Sequence, residues 1–207
     1  MPFGHGAFAE QSQAIKNYLA HLDSLGLSPP HRDGVKATKG LVLVWAAAVL
    51  EQFWKTYINE LCHRYVSSPP RVRRRNLTAA GIFYFDSLAG LASAKSLKRW
   101  AKLADFFDDL AKQDASPVQA YPHDGRTVRP EHLELIWRIF SLPGDAFPSP
   151  IHRQELNTLA DRRNDVAHGN VTPADMGGQV SVLDLRRTIA RLEDTVEHCV
   201  LSATSKW

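Results

Sequence analysis

The chain is short of cysteine, of charge of one sign and of long apolar runs, and each shortage excludes a class of protein. Two cysteines among 207 residues, Cys62 and Cys199, are too few for a secreted disulfide scaffold and lack the neighbours of a zinc motif. A net charge of +3 and a pI near 8.9 permit an anionic partner such as RNA without requiring one. The longest apolar run, Leu41 to Leu50, falls short of the roughly 20 residues that span a bilayer. Met1 to Glu10 lack the basic and apolar segments of a secretory signal. The expected setting is the cytoplasm, with no membrane association. A glycine-rich phosphate loop, a nucleophile elbow and a paired-cysteine motif are also missing, and no repeat or low-complexity tract occurs.

An apolar fraction of 44% and a charged fraction of 23% suit a globular chain, and the length fits one domain, residues 1–207. Apolar residues recur at helical spacing in most segments, and strand-like alternation is scarce. Helices are expected over about Ala7–Leu25, Val35–Val66, Ala94–Lys112, Pro130 to Phe140, Pro150–His168 and Val182 onward. Val35–Val66 is apolar on every side in its first half, which marks a helix at the centre of a bundle. Leu97, Trp100, Leu103, Ala104, Phe107 and Leu110 form one stripe; Leu133, Ile136, Trp137 and Phe140 form another. Ile82 to Leu91 is ambiguous between helix and strand, and Gln113 to Arg129 reads as a long surface loop. Gly169 is placed to cap a helix end, and Pro173 to open a loop. The fold class is all-α, a single bundle of four to five core helices with short peripheral ones.

The most informative segment is Leu159-Ala160-Asp161-Arg162-Arg163-Asn164-Asp165-Val166-Ala167-His168-Gly169. Leu156, Leu159, Arg163 and Val166 share one helix face, so Arg163 stands where the pattern calls for an apolar residue. A buried guanidinium needs a partner or an anion. His168 follows about 140° around the helix, so the two side chains flank a surface rather than stack. Asn164, four residues before His168, is on that residue's side and could orient its imidazole. Histidine can move a proton to or from a hydroxyl near neutral pH, and arginine matches two phosphate oxygens. The pair suits chemistry at phosphorus in which the RNA 2′-hydroxyl is the nucleophile, with no metal or cofactor. The plainer reading is a helix C-terminus in which His168 caps carbonyls and Arg163 makes a structural salt bridge.

The string Arg163-Asn164-Asp165-Val166-Ala167-His168-Gly169 resembles the ribonuclease motif of the HEPN superfamily, an Arg and a His with four to six residues between them. The run from Leu41 to Lys55, with Glu51 embedded in it, is similar to the apolar Glu-bearing helix of RiboL-PSP-type and related HEPN families. The resemblance covers about Val35 to Ser202 as an order of helices, with residues 1–34 as an added N-terminal helix and loop. It implies a homodimer that joins two motifs across a twofold axis. It also implies metal-independent RNA cleavage to a 2′,3′-cyclic phosphate, in a toxin–antitoxin or antiphage setting. A controlling antitoxin or nucleotidyltransferase-like partner would fit that setting. By this match Arg163 would bind the scissile phosphate, His168 would act as acid or base, and Asn164 would support them.

Glu51 and Lys55 interrupt an arc of Val44, Ala48, Ile58 and Cys62. They form either a solvated (i, i+4) pair or, for Glu51, a carboxylate that orients Arg163 or His168 from a second helix. Arg162, Lys55 and the cluster Arg71, Arg73, Arg74 and Arg75 are candidate contacts for RNA phosphates, with a solvated surface as the alternative. His132, His152 and His198 lack ligand-spaced partners, so surface or satisfied-core roles are expected of them. Trp45, Trp54, Trp100 and Trp137 fit core stripes. A non-catalytic module that binds RNA, a nucleotide or a protein is the competing function, and a purely structural dimerisation domain is the third.

Overall fold

A computed structural model describes residues 2–25, 32–69, 71, 79, 95–112 and 127–206. Every regular element among these residues is helical. A single 3₁₀ turn at Pro2–Gly4 leads into α1 (His5–Ser24) and then α2 (Arg32–Ser67). The remaining helices are α3 (Ser96–Lys112), α4 (Pro130–Phe140), α5 (Pro150–Ala167), α6 (Pro173–Gly178) and α7 (Val182–Lys206).

Helix α2 is the axis of the fold. Val42, Leu43, Ala46, Ala47, Leu50, Phe53, Trp54, Tyr57, Ile58 and Leu61 are all buried along it, but Leu41 is 53% exposed, so the apolar first half is not enclosed on every side. By length and composition α2 could cross a bilayer, with mean hydropathy 1.2 over its most apolar stretch, yet half of that stretch is buried inside the fold. It stops where Ser68 folds back: the Ser68 hydroxyl donates to the Arg64 carbonyl at 2.7 Å, and Pro69 follows. Helices α1, α5, α6 and α7 pack on α2, and α4 packs on α5.

Polar staples fix these contacts. Glu193 of α7 accepts from Ser12 at 2.5 Å and from Lys16 at 2.6 Å, both on α1. Glu155 of α5 accepts from Thr188 at 2.6 Å and is bonded to Arg191 of α7. The α4 stripe is buried as expected at Leu133, Ile136, Trp137 and Phe140, and so is α7 at Leu185, Ile189, Leu192, Val196 and Cys199.

Two sequence expectations change. Pro173 opens a helix rather than a loop: the Thr172 hydroxyl accepts the Asp175 N–H at 3.1 Å, an N-cap directly before a proline at the first helical position. The following glycines do not break this turn because Gly177 lies against the backbone of α2. In α3, Leu97 is 84% and Trp100 68% exposed, so the first turn of the stripe is not part of the core; the side chains of Phe107 and Leu110 lie outside the described residues. Periodicity shows which residues share a face but not whether another element covers it. Ile82 to Leu91 and most of Gln113 to Arg129 lie outside the described residues.

Candidate functional site

The last two turns of α5 carry the Arg163 motif. Leu156, Leu159 and Ala160 are buried against α2. Arg163 is the next residue on that face, and its side chain is 29% exposed. Opposite it on α2 is Glu51, 24% exposed, with Oε1 at 3.6 Å from Arg163 Nη2. That separation is an ion pair but not a hydrogen bond. Glu51 Oε1 is buried and has no hydrogen-bond partner among the described residues. Arg163 Nη1 donates to Asn164 Oδ1 at 3.3 Å. Between them these contacts anchor the guanidinium without using up its five donors.

Asn164 turns toward this pair rather than toward His168. Its Oδ1 also accepts from the hydroxyl of Thr127 at 2.7 Å. A polar chain therefore runs from Thr127, just before α4, through Asn164 and Arg163 of α5 to Glu51 of α2. His168 is the C-cap of α5, its backbone N–H donating to the Asn164 carbonyl at 2.9 Å, and Gly169 beyond it takes the left-handed φ of 73°. The His168 side chain is exposed, and no hydrogen bond or ion pair ties it to Arg163, Asn164 or Glu51 among the described residues. Among the described residues a single chain thus joins Glu51, Asn164 and Arg163 and leaves His168 apart.

Of the candidate phosphate contacts, Lys55, Arg162 and Arg71 lie among the described residues. Lys55 is exposed and forms no ion pair with Glu51 among the described residues, so the surface-pair reading of those two does not hold. Arg162 is half-buried, and its charge is felt at Asp184 in the N-terminal turn of α7. There the Asp184 carboxyl is held below its ordinary value, chiefly by hydrogen bonds from the Ser181 hydroxyl and N–H, with smaller contributions from Arg187 and Arg162. Arg71 is exposed. Arg73, Arg74 and Arg75 lie outside the described residues.

His132, His152 and His198 have ordinary partners. His132 Nδ1 accepts the Arg129 N–H at 3.0 Å, closing the start of α4. His152 sits between Ser149 and Asp194, and His198 stacks on Trp137. No cluster of three or more metal-binding side chains occurs among the described residues.

The sequence reading missed Thr127 and Arg129 by assigning both to a surface loop. Thr127 is 4% exposed, and Arg129 donates to Asn157 at 3.1 Å and Asp161 at 2.8 Å on α5. Asn157 and Asp161, four apart on one face, hinted at such a clamp. Nothing in the sequence pointed to Thr127. Elsewhere, a groove of about 460 Å³ runs between α1 and α2, lined by Phe8, Gln11, Trp45, Gln52, Phe53 and Thr56 among others.

Comparison with known proteins finds no matching family model, no matching curated protein and no matching solved structure.

Proposed function

We propose that the chain is a metal-independent RNA endonuclease of HEPN-like type, acting in the cytoplasm as part of a toxin–antitoxin or antiphage system. One observation carries the reading. Arg163 occupies a core-facing position of α5, is held by Glu51 at 3.6 Å and by Asn164 at 3.3 Å, and keeps donors that no other described residue accepts, at a partly exposed surface. A charged group placed at that cost, in the string Arg163 to Gly169, suits an anion that must be gripped in a fixed orientation.

In this mechanism the RNA 2′-hydroxyl attacks the adjacent phosphorus. The bond to the 5′-oxygen breaks, leaving a 2′,3′-cyclic phosphate and a 5′-hydroxyl. Arg163 offsets the negative charge that builds on the phosphoryl oxygens. His168, exposed at the end of α5, transfers the proton. Because His168 stands apart from Arg163 in one chain, the proposal includes a homodimer that brings two motifs to one RNA backbone. An antitoxin or nucleotidyltransferase-like partner would control it.

The test is cleavage of RNA by the purified chain in EDTA, with analysis of the 3′ ends. Replacing His168 or Arg163 by Ala should lower the rate by roughly 10²–10⁴-fold, the worth of a general acid–base group or an electrostatic donor. Equal cutting by His168→Ala would refute the mechanism. A second reading, a non-catalytic module that binds RNA, a nucleotide or a protein, is favoured by the internal Glu51 partner of Arg163, which a purely structural arginine would also have. That reading requires the same RNA affinity with and without the His168 ring, and no cyclic-phosphate product.

A further inference from the structure

We infer that Thr127 is a positioning residue that sets the direction of the Asn164 amide, so that Asn164 and Arg163 together present N–H donors to one phosphodiester. The inference rests on the anion-binding role proposed above for Arg163. Its basis is which atom must face which. Arginine can only donate, so the Asn164 atom that meets Arg163 Nη1 at 3.3 Å is the amide oxygen. That oxygen has two lone pairs. The second is taken by the Thr127 hydroxyl at 2.7 Å, the shorter of the two contacts.

With two donors converging on Oδ1, the amide cannot flip without placing its NH₂ against a guanidinium. Its Nδ2 is therefore turned away from Thr127, and it makes no hydrogen bond among the described residues. Thr127 is 4% exposed, so its hydroxyl has little water to turn to and is committed to this bond. Asn164 and Arg163 are consecutive residues at a partly exposed surface. An amide N–H and the open guanidinium N–H groups suit the two non-bridging oxygens of a phosphodiester. Without the Thr127 bond, Asn164 would keep one long contact, and its amide would sample orientations that do not serve the anion.

The experiment uses the full chain with two probes, a mixed-sequence RNA for cleavage and its 2′-deoxy-substituted, uncleavable counterpart for binding by fluorescence anisotropy. Thr127→Val keeps the shape and loses the hydroxyl; Thr127→Ser keeps the hydroxyl. Thermal melts accompany both, and Thr127→Ala replaces the valine variant if that one does not fold. Expected is a roughly tenfold loss of affinity for the uncleavable strand in Thr127→Val, the worth of one hydrogen bond to a charged group. Thr127→Ser should stay within about threefold of wild type, a rescue that a purely structural role would not require. Wild-type affinity in the folded valine variant overturns the inference while leaving the nuclease proposal standing. The expected binding pattern without RNA cleavage upholds Thr127 and removes the nuclease proposal. No binding by the wild-type chain removes both.

Discussion

Gly40→Ala should destabilise the protein, although glycine-to-alanine inside a helix ordinarily does the opposite. In an exposed helix interior the change gains about 0.5–1 kcal/mol, because alanine loses less backbone entropy on folding. At Gly40 a Cβ would stand 2.1 Å from the Pro173 carbonyl oxygen, and at Gly177 it would stand 1.8 Å from that of Lys36. Both obstacles are backbone, so no rotamer change relieves them. Helix α6 would have to move away from α2 by an ångström or more. That shift loosens Met176 and Val180, each 3% exposed in the native fold, and a buried side chain of that size is worth about 1.5–3 kcal/mol. Loss of about half of that burial at the two residues, offset by the helix gain, leaves a net cost of about 0.5–2.5 kcal/mol. Gly34, six residues earlier in α2, has nothing within 4 Å of its added Cβ. Gly34→Ala should be neutral or stabilising by a few tenths of a kcal/mol. Urea unfolding followed by circular dichroism measures both. A Gly40→Ala midpoint at or above that of wild type would show that α2 and α6 do not touch backbone to backbone.

Two smaller effects follow from the core. The Tyr57 hydroxyl, buried, donates to the Cys199 carbonyl at 2.9 Å, so Tyr57→Phe should cost about 0.5–1.5 kcal/mol in the same urea assay with an unchanged slope. Burial pushes the Cys62 thiol up from 9.0 to about 11. The folded state then holds that proton more tightly than the unfolded chain. This contribution to stability is complete below pH 9 and is lost as pH rises toward 11, by no more than about 1.4 kcal/mol per pH unit. Cys62→Ala should accordingly show a shallower fall in unfolding midpoint over that range, and the wild-type thiol should resist iodoacetamide at pH 8 until denaturant is added.

Helix placement was legible because local signals agreed with one another. The apolar period of α2, the prolines that open α4 and α5, and the glycine that closes α5 each act within a turn or two of chain. Arg163 was legible for the same reason: a charge on an apolar stripe is visible in one dimension. Its need for a partner followed from the cost of burying a guanidinium. Glu51, a carboxylate equally out of place on the central helix, was one candidate for that partner, with a solvated pair to Lys55 as the alternative.

What the tertiary structure decided is which surfaces meet. Nothing local marks Thr127, since its burial comes from the segment before α4 lying on α5, and a threonine in a polar stretch looks the same whether or not it is covered. The direction of Asn164 was misjudged on similar grounds. Helical spacing put it beside His168, but the donors that claim its amide oxygen come from Thr127 and Arg163. Trp100 met the opposite error: a place on an amphipathic stripe states a capacity for burial, and this side chain remains 68% exposed. The contact of Gly40 with Pro173 joins positions far apart along the chain. Sequence by itself determined the helices and the out-of-place charges, through interactions that reach only a few residues. Packing between helices decided which charge meets which, because that depends on distances set by the whole fold.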